Sequence, residues 1–223
     1  MKRKTTWNTR RSIVAMAVAA AWAAQPLAAA DSTWNGGTGN WNVAGSWSPA
    51  GVPNSALTNV FIDGGNTGAA SVVTLNMVAI IGNLTIDAGD ALRIADGQSL
   101  TMGGVLANAG TFEIQSTFFN TNLVLGGNTA VTGAGTILLS DRSSNRIYGA
   151  TGAERLSIGA GQSIVGAGRI GLSGSNRLAV TNAGLIAASG SNGLTFNMAT
   201  VAGAFDNSLG VIEVRDGSFA RFD

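Results

Sequence analysis

Short alternations of apolar and polar residues run through most of the chain. Leu84-Thr-Ile86, Leu92-Arg-Ile94, Ile137-Leu-Leu139, Leu194-Thr-Phe196 and Val211-Ile-Glu-Val214 are brief, and Gly, Asn and Asp bound nearly all of them. Apolar positions two apart, closed by turn formers, predict strands rather than helices. Met77 to Ile81 has the length of a helical turn, and Gly82 and Asn83 stop it. No later stretch keeps a capped 3.6-residue period, so the chain is predicted to be all-β.

The strands belong to repeats. Leu92 to Leu100 lines up with Leu156 to Ile164, and Leu123 to Ser140 lines up with Leu156 to Ser173 at an offset of 33, with 8 of 18 positions identical. Asn108-Ala-Gly110 and Asn182-Ala-Gly184 form a second theme, which returns with one residue inserted at Asn207-Ser-Leu-Gly210. A propeller blade needs a repeat of roughly 40 residues, and sandwiches and barrels need no repeat. A parallel β-helix accounts for both the spacing and the self-similarity. Short strands stack on equivalent strands of the next coil, and inward Leu, Ile, Val and Phe form a continuous column. The right-handed form is expected, because parallel crossovers almost always take that hand. The offset of about 32 residues reads as one large coil or two small ones. Ile94, Ile137, Ile158, Ile170, Leu172 and Ile186 should face one interior. The strands beside Gln98-Ser99 and Gln162-Ser163 should stack, and Asp141 to Asn145 should form an exposed excursion.

The first thirty residues follow another pattern. Lys2, Arg3, Lys4, Arg10 and Arg11 precede an apolar stretch from Ile13 to Ala24 and the triplet Ala28-Ala29-Ala30. That is the order of a cleavable signal peptide, with the mature chain expected to start at Asp31. Thr9 to Val14 also resembles a twin-arginine signal. The expected organisation is therefore a signal peptide over 1–30, a Trp/Gly-rich cap over 31–56 and β-helix repeats over 57–223. Residues 31–223 keep 8 Arg and 12 Asp or Glu, a net charge of 8 − 12 = −4. No basic run remains there, so nucleic acid is not an expected partner. No apolar run after the signal is long enough to span a bilayer.

The N-terminal edge carries a resemblance. It reads Trp34-Asn-Gly-Gly-Thr-Gly-Asn-Trp41, then Ser46-Trp47, Gly51-Val-Pro53-Asn54 and Val60-Phe-Ile-Asp63. Together with the Asn-x-Gly turns it resembles exported bacterial β-helix surface proteins of the autotransporter passenger type. The resemblance implies a non-enzymatic surface or extracellular protein, structural or adhesin-like, with glycan or cell-surface contacts. The alternative is a carbohydrate-active β-helix enzyme or a glycan-binding module, and a carboxylate cluster in one groove would mark it. The chain stops at Asp223 without a translocator barrel. It is accordingly expected to be a piece of a longer protein, whose open last coil offers a route to self-association.

Candidate chemistry is sparse. The chain has no Cys and no His, and both Lys lie in the signal, which removes thiolate catalysis and the usual base of a serine nucleophile. No catalytic residue, cofactor or metal ligand is predicted. Asp87 and Asp90, with Asp96 nearby, read as turn residues at coil corners. Gly64-Gly65-Asn66-Thr67-Gly68 lacks the recurring Asp of a calcium-binding repeat. Arg142, Arg146 and Arg155 are expected to form solvated pairs with Asp141 and Glu154. Phe119 is expected to point inward with Phe118 outward, or both to pack under a loop. Trp34, Trp41 and Trp47 either close the first coil or, as the candidate ligand contacts, stack on sugar rings.

Overall fold

The computed structural model of the protein describes residues 30–66, 68–215 and 217–223. The signal-peptide expectation falls almost wholly on residues 1–29, outside the described residues. The rest is all-β, a parallel β-solenoid of about eight turns. Among the described residues no helix is long and apolar enough to cross a membrane.

Three faces run along the solenoid, each a ladder of parallel strands. On the first, Val60, Leu84, Leu106, Val131 and Ile158 are successive register partners. On the second the order is Val73, Leu92, Phe112, Ile137, Ile164, Ile186 and Ile212. On the third it is Leu100, Leu123, Ile147, Ile170, Phe196 and Phe222. Alternation places every second side chain inside, so the three ladders meet in one core that extends from Trp34 to Phe196.

Register corrects the reading of the repeat. Along the second face Val73 meets Leu92 and Ile137 meets Ile164, so each coil is shorter than the offset between the similar segments. That offset is one coil plus one face. Leu92 lies on the second face, Leu123 on the third and Leu156 on the first. The similar segments are thus rotated about the axis and do not stack. For the same reason Ser99 pairs with Asn122 on the third face, whereas Ser163 pairs with Thr136 and Leu185 on the second. Ile94, Ile137, Ile158, Ile170 and Ile186 are buried as expected, but Leu172 is only half-buried, because the chain leaves the third face after Ile170.

The Asn-x-Gly theme is a corner device. Asn108 and Asn182 are buried, and the Asn182 side chain accepts the Gly184 N–H at 3.0 Å and donates to Asn207 Oδ1 at 2.6 Å. The glycine is required by close approach. A Cβ on Gly184 would lie 2.3 Å from the Gln162 carbonyl oxygen, and one on Gly110 would lie 2.2 Å from that of Asp90.

Candidate functional site

The three tryptophans fill the interior of the first coils. Trp34, Trp41 and Trp47 are 1%, 0% and 1% exposed. Trp47 meets the other two edge-on, at ring-centroid distances of 5.0 and 4.7 Å. Each indole N–H donates to a backbone carbonyl: Trp34 to Gly37, Trp41 to Pro53 and Trp47 to Trp41. Stacking on a sugar needs an open ring face, and none of the three presents one.

At the corner between the first and second faces, three carboxylates converge. Asp63, Asp87 and Asp90 each bring one oxygen within 4.8 Å of the others. Asp63 ends one coil of the first face and Asp87 ends the next, since Ile62 and Ile86 are register partners. Ser71 bridges the group, donating its hydroxyl to Asp63 Oδ2 at 3.0 Å and its N–H to Asp90 Oδ1 at 2.8 Å. Asp63 also accepts the Gly65 N–H, the Asx-turn role expected of Asp87 and Asp90. Burial holds the Asp90 carboxyl above its ordinary value despite the hydrogen bond from Ser71, and the charges of Asp63 and Asp87 add to the rise. Three such oxygens are a donor set suited to a hard divalent cation. The sequence reading missed Asp63. Its spacing from Asp87, a single coil of chain, was the available signal.

The other acids are engaged by backbone. Asp96 accepts the N–H groups of Thr117, Phe118 and Phe119 from the next coil, and these bonds, that of Thr117 first, hold its pKa at about 2 against desolvation. The same anchoring turns both rings outward: Phe118 is 84% exposed, and Phe119, at 69%, neither points inward nor packs under a loop. Asp141 accepts from the Asn192 and Ser191 N–H groups and their side chains, which lower it to about 2. Burial opposes ionisation of Glu154, and hydrogen bonds from Thr151 and Gly152 outweigh it.

The expected pairs of Arg142, Arg146 and Arg155 with Asp141 and Glu154 therefore do not form. Among the described residues the ion pairs are Arg93–Glu113, Arg215–Glu213 and Arg221–Asp223. Arg155 instead donates to Thr181 Oγ1 and the Gly203 carbonyl. The excursion from 141 to 145 is exposed only over Asp141, Arg142 and Ser143. Its last residue, Asn145, is buried and donates to the Ser140 and Ala167 carbonyls while accepting the Ser116 N–H.

A groove at the corner between the third and first faces has a volume of about 310 Å³ and is lined by Ile80, Gly82, Asn83, Gly103, Gly104 and Gly126, among others, with no charged residue.

Residues 33–150 match the family model described as a domain of unknown function, DUF8693, and the chain belongs to that family. No curated protein and no solved structure matches the chain.

Proposed function

We propose that this member of the DUF8693 family is a non-enzymatic, exported surface or extracellular protein, structural or adhesin-like. In this reading it is a right-handed β-helix of the autotransporter passenger type that binds through repeated contacts along its faces. The observation that carries it is the state of the carboxylates. Asp96 and Asp141 cap backbone of later coils, Glu154 caps that of its own corner, and Ser71 bridges Asp63 to Asp90. A glycosidase instead needs two carboxyl groups free to flank a sugar bond. A rigid ladder of weak contacts raises avidity without any single strong site. The N-terminal pattern supports export, and N-terminal sequencing of secreted protein should read from Asp31; recovery of Met1 in a cytoplasmic form would remove that part of the reading.

One observation favours the second reading, a carbohydrate-active enzyme: the raised pKa of Asp90 beside Asp63 and Asp87. Turnover on a panel of neutral and acidic polysaccharides decides between them. The first reading expects no cleavage. Cleavage abolished by Asp87→Asn would establish the second.

A further inference from the structure

We propose that the third face binds carboxylated polysaccharide through Arg146 and Arg169. The inference rests on the non-enzymatic binding role above and names its partner class. Asn122, Arg146, Arg169, Thr195 and Arg221 are successive register partners in outward positions of this face. Parallel stacking sets neighbouring members about 4.8 Å apart, so the run from Arg146 to Arg221 covers about 14 Å.

Two cations stacked in register repel each other, and a fold normally places an acid between them. Here none is supplied. Asp141, the nearest acid in sequence to Arg146, is engaged by Ser191 and Asn192. Asp223 holds Arg221. Among the described residues no acid lies within ion-pair distance of Arg146 or Arg169. Arg146 Nε and Asn122 Oδ1 are buried atoms without a hydrogen-bond partner. Burial first, and then the charge of Arg169, lower the pKa of Arg146, so the pair is electrostatically uncompensated.

A carboxylate bridging adjacent coils would compensate the charge of the pair, accepting charge-assisted hydrogen bonds from the outer nitrogens of two guanidinium groups. The neighbouring Thr195 offers a neutral partner to hydroxyls. An extended acidic polysaccharide lying along the axis presents such groups at intervals. Nucleic acid fits less well, because it requires many phosphate contacts and residues 31–223 are net acidic, 8 − 12 = −4.

The test measures binding of polygalacturonate, neutral dextran and double-stranded DNA to the whole protein, with melting curves to verify folding. Polygalacturonate should bind and weaken as salt rises. The Arg146→Gln/Arg169→Gln protein should melt normally and bind at least tenfold more weakly. Arg93→Gln, which removes a cation from the second face, should bind like the parent. Absence of polygalacturonate binding overturns the inference, as does a double variant within twofold of the parent. An equal loss in Arg93→Gln, equal binding of dextran, or tighter binding of DNA also overturns it. Depolymerisation of polygalacturonate with the arginine dependence intact would support this face and overturn the non-enzymatic reading.

Discussion

Two outward columns of this solenoid share a geometry and differ in chemistry. On the first face Asn59 donates to Asp31 at 2.9 Å, Asn83 donates to Asn59 at 2.8 Å, and the Val105 N–H donates to Asn83 at 2.7 Å. An amide is both donor and acceptor, so a stack of amides closes on itself. On the third face Arg146 stacks on Arg169. Guanidinium has donors only, so the same register leaves both groups open. In-register stacking multiplies whatever a side chain lacks as readily as what it supplies. A column of one residue type is therefore either a structural seam or a binding strip, according to the donors and acceptors it carries.

The largest test of this contrast removes the core that both columns ride on. Ile170 lies beside Arg169 in the chain and is fully buried. Ile170→Asp would bury an unpaired charge and should cost roughly 3–5 kcal/mol in urea unfolding; a smaller loss would mean that the third face does not close the core.

A backbone change separates the columns. Gly166 has φ 132°, and a Cβ there would lie 2.0 Å from the Leu139 carbonyl oxygen. Gly166→Ala should cost roughly 1–3 kcal/mol. Because the same tight corner positions Arg169, polygalacturonate binding should fall with it, while the amide stack keeps its register. Exchange protection of the Val105 amide reads the latter.

Asn59→Ala breaks the amide stack alone. It strips Asp31 of its donor and Asn83 of its acceptor, and a loss of about 1 kcal/mol is expected from thermal unfolding, with the arginine face unaffected.

Acid tests the corner beneath that face. The fold depresses the Asp96 pKa to about 2, so its contribution is complete above the ordinary value of 3.8 and is lost as pH falls through about 2. In Asp96→Asn the drop in melting temperature between those pH values should be shallower than in the parent. Parallel curves would mean that the three N–H bonds add no stability.

The smallest effect belongs to the arginines. Arg169→Gln relieves a like-charge contact and loses no ion pair, so stability should stay within about 0.5 kcal/mol of the parent and rise, if it moves, at low salt. A clear loss would place Arg169 in the structural seam rather than the binding strip.

The strand pattern, the all-β class and the solenoid were legible because two-residue alternation and Gly/Asn punctuation are local properties. Ile94 and Ile186 could be assigned to the core from their own segments. The carboxylate corner was half visible: Asp87 and Asp90 are near neighbours in the chain, but Asp63 joins them only through the coil. The arginine pair was hidden by the offset between similar segments, which suggested stacking partners one face away from the true ones.

What the sequence determined by itself is therefore the kind of ladder: short strands, sharp glycine corners and a column of Leu, Ile and Val that must be buried. Only the tertiary structure decided which rungs meet. Coil length is not constant: on one face the path from Val73 to Leu92 is shorter than that from Ile137 to Ile164. Corners such as Thr117 to Asn120 lengthen a turn without disturbing the strands on either side. Register is set by the packing of the inward side chains, and that packing places Arg146 beside Arg169 and turns Asp141 away from both.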